Sequence, residues 1–198
     1  MNAPLAIAAF FAAFLLGSIP FGYLIGRLFY RRDIRTQGSG NIGAMNALRT
    51  LGRGGAIAVL LLDALKGFLP AFWALATIGQ PIAAVVAAGA VLGHCFSPWL
   101  RFRGGKGVAT SFGAIFALCW PAGLVAVAGW IAGAALTRYS SVGSMLGSLL
   151  AALALWRFGG SLAATTYGVF SVLLILFTHR DNIRRLLAGT ENPIRLKG

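Results

Sequence analysis

The chain has 198 residues, 58% of them apolar, and a formal net charge of +13 with only four acids, Asp33, Asp63, Asp181 and Glu191. A mean hydropathy of +0.81 excludes a water-soluble domain, because so much apolar surface with so few charges would aggregate. The basic excess has no long soluble surface to occupy, which argues against a nucleic-acid partner and for anionic lipid or a phosphorylated substrate.

Apolar stretches near twenty residues with almost no charge read as membrane-spanning helices. The first is Leu5–Tyr30. No Lys or Arg precedes it and Arg31-Arg32 follow it, so it reads as a retained helix with its N-terminus outside rather than a cleaved signal. A polar loop is expected over Arg31–Arg53. It contains the run Gly38-Ser39-Gly40-Asn41-Ile42-Gly43, whose glycines let backbone N–H groups turn toward an anion while Ser39 and Asn41 add side-chain donors. If a helix begins near Gly43, Asn46 and Arg49 share a face of it, and a phosphate at its start gains free amides and the helix dipole.

The second span is Ala56–Thr77, ending at the turn Gly79-Gln80-Pro81. It carries Asp63 and Lys66, three residues apart, which read as a buried structural ion pair. The third span, Ile82–Leu100, ends with His94, Cys95 and Pro98. His94 fits a structural, hydrogen-bonding role or a catalytic base. Cys95 and Cys119 lie in or beside apolar runs and read as small membrane hydrophobes, not a disulfide.

Arg101–Gly107 is a short basic loop in which Gly104, Gly105 and Gly107 surround Lys106, forming an anion nest with a cation at its centre. It is not a nucleotide P-loop, since Gly107 stands where Ser or Thr should hold magnesium. Val108–Leu136 carries Pro121 after Trp120 and is expected to break there into two short helices. Arg138–Ser144 is a polar loop whose Ser141 and Ser144 suit hydrogen bonds to a phosphate or an alcohol. Ser144–Phe158 and Leu162–Thr178 follow, separated by Gly159-Gly160-Ser161. The tail, His179–Gly198, begins as an amphipathic surface helix with Ile183, Leu186 and Leu187 on its apolar face.

Breaking the chain at Trp120-Pro121 and Gly159-Gly160 gives seven segments, N-terminus out and C-terminus in. Every basic residue except Lys66 and Arg157 then lies on the inner side, as the positive-inside rule favours. The weak point is Val108–Leu118, which rises only about 16 Å as a helix and is expected to be half-membrane or re-entrant. In this topology Ser39, Lys106, Ser141, Ser144 and His179 meet at the cytoplasmic surface. No acidic pair or Cys/His cluster has metal-ligand spacing, so neither a metal nor any other cofactor is expected.

Together these motifs resemble the bacterial acyl-phosphate:glycerol-3-phosphate acyltransferases, the PlsY family. The resemblance rests on Gly38–Arg49, on Gly93-His94…Pro98 with Gly104–Thr110, on Ser141…Ser144, and on His179-Arg180-Asn182-Ile183-Arg185-Leu186…Gly189…Glu191. It covers essentially the whole chain as one domain. It implies an all-α, multi-pass enzyme of the bacterial inner membrane. Such an enzyme moves a fatty acyl group from acyl phosphate to glycerol 3-phosphate, giving lysophosphatidate and phosphate for phospholipid synthesis. Membrane lipids and the enzyme that produces acyl phosphate are its implied partners.

Ser39, Lys106, His179 and Asn182 are the implied catalytic residues. Gly38, Gly40, Asn41, Gly43, Asn46, Arg49, His94, Gly104, Gly105, Gly107, Ser141, Ser144 and Glu191 are the implied substrate contacts. On this reading Ser39, Gly40, Asn41 and Gly43 take the acyl-phosphate phosphate, and Arg49, Lys106, Ser144, His179 and Asn182 take glycerol 3-phosphate. The proton acceptor is His179, His94 or an oxygen of the donor phosphate, the last being favoured; an acyl-enzyme on Ser39 is the alternative. Two positions depart from the family: Met45 stands where threonine is usual, and Arg103 where lysine is common. The rival readings are an anion transporter, which lacks polar residues along most spans, an intramembrane serine protease using Ser39, and a non-catalytic lipid-binding scaffold.

Overall fold

The computed structural model describes residues 3–194, which contain helices and no strand; Arg195 and Lys197 of the basic tail lie outside them. The helices are α1 (Ala3–Gly17), α2 (Phe21–Tyr30), α3 (Ala44–Thr77), α4 (Gln80–Cys95), α5 (Val108–Leu118), α6 (Trp120–Thr137), α7 (Ser140–Phe158), α8 (Leu162–Thr178) and α9 (Arg180–Leu187). Among the described residues five stretches are long and apolar enough to cross a membrane. A sixth arises if α8 and α9, bent by 58°, form one span, and α5 is a shorter apolar helix.

The expected break between α5 and α6 falls at Cys119, whose extended backbone (φ −162°, ψ 97°) precedes Pro121 in the first turn of α6. Four expected boundaries shift. The first span is interrupted at Ser18–Pro20, because Pro20 supplies no backbone donor. The Ser18 carbonyl at this break accepts from Ser97 Oγ (2.7 Å), and the Ile19 carbonyl accepts from Lys66 Nζ (2.8 Å). The region expected to be loop through Arg53 is helical from Ala44, because Ala47 and Leu51 bury one face against Ile34 and Ile42. Gly52 (φ 85°, ψ −172°) then redirects the chain into the long apolar part of α3. The third span stops as α-helix at Cys95, and Pro98–Leu100 form a separate 3₁₀ turn. Finally, α7 begins at Ser140 rather than Ser144, so Ser141 and Ser144 sit on its first turns.

Small residues set the helix spacing, as expected where hydrocarbon surrounds the bundle. Added Cβ atoms at Gly67 and Gly113 would lie 2.0 and 2.1 Å from the carbonyl oxygens of Thr110 and Ala64, so α3 and α5 meet backbone to backbone. Gly17 and Gly93 do the same between α1 and α4, and Gly143 and Gly147 between α7 and α6. The expected ion pair forms: Lys66 Nζ lies 2.8 Å from Asp63 Oδ1, with both side chains 2% exposed. His94 Nδ1 faces the same oxygen at 3.5 Å.

Candidate active site

Four separate segments end around one cavity of about 520 Å³. The first is the loop before α3, and Asn46 holds its shape. The buried Asn46 amide donates to the carbonyls of Ile34 (2.7 Å) and Asn41 (2.8 Å), and its Oδ1 accepts from the Ser39 N–H (2.8 Å). Asn41 Oδ1 accepts from the Gly43 N–H at 2.8 Å. Gly38 has φ +59°, and a Cβ there would lie 2.3 Å from Asn46 Oδ1. The amides of Ser39 and Gly43 are therefore spent inside the loop. Ala44 and Met45, at the start of α3 and lining the cavity, present the amides that a first helical turn leaves free.

The second segment is the Lys106 loop. Gly104 and Gly105 donate their N–H groups to the carbonyls of Cys95 and His94, both at 3.0 Å. They clip the loop onto the end of α4 rather than face the cavity. A Cβ on Gly105 would meet His94 Nε2 at 2.0 Å, so only glycine fits there. The Lys106 carbonyl accepts from Thr178 Oγ1 at 2.9 Å. With its backbone pinned on both sides, Lys106 donates through Nζ to Asn182 Oδ1. Burial lowers its pKa to about 8, the nearby Arg185 and Arg49 charges adding to the effect and Glu191 opposing it.

The third and fourth segments, the start of α7 and the α8–α9 junction with the tail that follows α9, are tied through Glu191. Its Oε1 accepts from Asn182 Nδ2 (2.6 Å) and Ser141 Oγ (3.0 Å), and its Oε2 accepts from Arg185 Nε (2.7 Å). Burial opposes the charged carboxylate, but these donors outweigh it and hold its pKa below the ordinary value. Ser144 donates to the Ser140 carbonyl (2.8 Å), leaving its oxygen as an acceptor. His179 Nδ1 lies 2.8 Å from the Ile175 carbonyl, which can only accept. The proton is thus on Nδ1, and Nε2 keeps its lone pair. Burial, reinforced by the Lys106 charge, lowers the His179 pKa to about 4, so the ring is neutral near pH 7.

The cavity is lined by Ser39, Asn41, Gly43, Asn46, Arg49, His94, Lys106, Gly107, Ser141, Ser144, His179, Asn182 and Glu191 among the residues expected from the sequence. Gly38, Gly40, Gly104 and Gly105 do not line it. The sequence reading does not single out Arg185 or Asn192 as site residues. Arg185 stands three residues after Asn182 on α9, a helical spacing that puts the two on one face. Three cations, Arg49, Lys106 and Arg185, line the cavity with two carboxylates, Asp63 and Glu191; Asp63 is already paired with Lys66, so the polar end carries a surplus of positive charge suited to a phosphate dianion. The other end is apolar, formed by Leu60, Leu61 and Ala64 of α3, Phe112 and Phe116 of α5, and Val127, Trp130 and Ile131 of α6. Among the described residues no group of three His, Cys, Asp or Glu side chains is placed to hold a metal.

Residues 7–189 match the family model described as glycerol-3-phosphate acyltransferase. A glycerol-3-phosphate acyltransferase of Nitrobacter winogradskyi is 50% identical over 194 residues, covering 98% of each chain. One from Rhodopseudomonas palustris is 47% identical over 188 residues, 95% of each. The crystal structure of PlsY, an integral membrane glycerol 3-phosphate acyltransferase, in its glycerol 3-phosphate form superposes with a TM-score of 0.91 at 36% identity, covering 96% of both chains. Its lysophosphatidic acid form gives a TM-score of 0.89 at 35% identity, covering 96% of this chain and 95% of that one.

Proposed function

The chain belongs to the glycerol-3-phosphate acyltransferase family of integral membrane enzymes, and on that premise we propose that it transfers a fatty acyl group from acyl phosphate to glycerol 3-phosphate. The observation that carries this reading is the two-ended cavity, in which a cationic, hydrogen-bonding end meets an apolar slot. An acyl phosphate has that shape: a charged mixed anhydride on a hydrocarbon tail.

The tail lies in the slot and its phosphate faces Ser39, Asn41 and the free amides of Ala44 and Met45. Glycerol 3-phosphate takes the Arg49, Lys106 and Arg185 side, with Ser144, His179 and Asn182 on its hydroxyls and phosphate. Its hydroxyl oxygen adds to the acyl carbonyl carbon, the carbon–oxygen bond to phosphate breaks, and an ester forms. Lys106 and the helix-start amides stabilise the negative charge that develops on the carbonyl oxygen.

The hydroxyl proton goes to the departing phosphate, which leaves as hydrogen phosphate. As the anhydride bond breaks, the departing phosphate becomes a far stronger base than His179, whose pKa is about 4. Neutral His179 instead offers Nε2 as an acceptor to the second hydroxyl of glycerol 3-phosphate, which holds the attacking one in place. An acyl-enzyme on Ser39 is disfavoured, because its hydroxyl has no basic partner among the described hydrogen bonds.

The reading places the whole chain as one catalytic domain of a bacterial inner membrane, with seven segments, N-terminus out and C-terminus in. It supplies lysophosphatidate to phospholipid synthesis and receives its donor from an enzyme that makes acyl phosphate. Support comes from charge. Arg31, Arg32, Arg53, Arg101, Arg103, Arg138 and Arg180 all lie in or beside the segments that carry the site, as the positive-inside rule requires of a cytoplasmic face. The test is donor choice. Purified protein in lipid is supplied with palmitoyl phosphate or the corresponding coenzyme A thioester, together with glycerol 3-phosphate. Lysophosphatidate from the phosphate donor alone is expected; transfer from the thioester alone overturns the proposal.

A further inference from the structure

The apolar slot has a measurable depth and a definable end. α5 starts at Val108, directly after Lys106 and Gly107 at the polar end. Phe116 lies eight residues further along that helix, about 12 Å down its axis. It is the last residue of α5 to line the cavity, as Ala64 is the last of α3 and Val127 the first of α6. The chain turns immediately beyond it, at Cys119, and brings Gly123 of α6 back beneath the ring. A Cβ on Gly123 would lie 2.4 Å from Phe116 Cγ and 2.5 and 2.7 Å from the two Cδ atoms. Gly123 is buried and does not line the cavity, so the ring stands between it and the slot.

We propose that Phe116, seated in the notch that Gly123 leaves open, sets the longest acyl chain the enzyme accepts. The inference rests on the acyl-donor reading above. The absent side chain at position 123 lets the ring withdraw from the slot. Any added atom there pushes the ring toward the space a terminal methyl would fill. Phe116 touches the tail far from the reacting carbon, so it selects chain length without taking part in the chemistry.

The experiment compares turnover of octanoyl, palmitoyl and stearoyl phosphate by wild type, Gly123→Ala, Phe116→Ala and the double variant, purified in lipid. Gly123→Ala is expected to keep octanoyl turnover, since that chain stops short of the ring, and to lose about tenfold on stearoyl phosphate, the scale on which a pocket discriminates small changes in apolar length. Removing the ring in the double variant restores long-chain turnover, a rescue that mere destabilisation does not give. Phe116→Ala alone shifts the preference toward stearoyl phosphate. Should Gly123→Ala fail to fold, Phe116→Trp takes its place and is expected to shorten the accepted chain. A length preference identical in all folded variants overturns the inference while leaving the donor reading intact. Absence of turnover with every acyl phosphate in wild type overturns the donor reading and this inference with it.

Discussion

Lys106 is a charge kept in a place that resists charge. Burial brings its pKa to about 8, so it is protonated and cationic near neutrality and loses its charge as pH rises through that value. Turnover is therefore expected to fall above about pH 8. Lys106→Arg should move that limb out of range, because a guanidinium does not deprotonate, with a lower rate since its fork does not replace a point donor to Asn182. His179 titrates near 4 and stays neutral from about pH 5 upward, so it contributes no acidic limb over the working range. His179→Gln, which retains an acceptor, is expected to hold turnover within about tenfold of wild type. His179→Ala should lose about a further tenfold, checked by steady-state rates at saturating substrate. At this scale residue types were readable from the sequence, because Ser, Lys, His and Asn at apolar breaks have few other uses. Their partners were not. Nothing in the spacing shows that Asn46 spends its amide on the loop carbonyls, or that Glu191 gathers Ser141, Asn182 and Arg185.

The elements matter because they convert flexible loops into fixed positions. The Lys106 loop is seated on His94 through Gly105. Gly105→Ala is expected to force the loop off α4, reducing turnover about a hundredfold and lowering the melting temperature, both measurable on detergent-purified protein. The Asp63–Lys66 pair has a comparable structural role where α1 breaks. Asp63→Asn leaves Lys66 buried without its counter-charge and should cost about 3–5 kcal/mol of stability, while Asp63→Leu with Lys66→Met should cost less. This pair was legible in the sequence from its spacing inside an apolar span, and so was the α5–α6 break from Pro121. The start of α3 was half legible: a helix beginning near Gly43 was one reading of a stretch otherwise expected to be loop through Arg53. Its polar residues resemble a loop in sequence, and only the burial of Ala47 and Leu51 against Ile34 and Ile42 makes them a helix. The glycine nest around Lys106 has the composition of an anion site, yet its Gly104 and Gly105 amides are taken by carbonyls of α4.

At the scale of the molecule, the arrangement joins water and hydrocarbon in one cavity. Glycine-mediated contacts bring α3, α5, α6 and α7 close enough to wall an apolar slot that stays open along Leu60, Leu61 and Ile131, and the loops at one end roof it with cations. That the polar breaks share a face follows from charge and span counting. That the slot runs beneath them, between α3, α5 and α6, needs three dimensions, since Leu60, Phe116 and Val127 look like any other membrane-facing residues in the sequence. The direct measurement is stoichiometry. Purified protein in vesicles is given palmitoyl phosphate with and without glycerol 3-phosphate, alongside Lys106→Ala, and inorganic phosphate and lysophosphatidate are quantified together. The account predicts equal amounts of the two products, formed only when glycerol 3-phosphate is present and reduced at least about a hundredfold in the variant. Phosphate release without glycerol 3-phosphate, or an unimpaired Lys106→Ala protein, would contradict it.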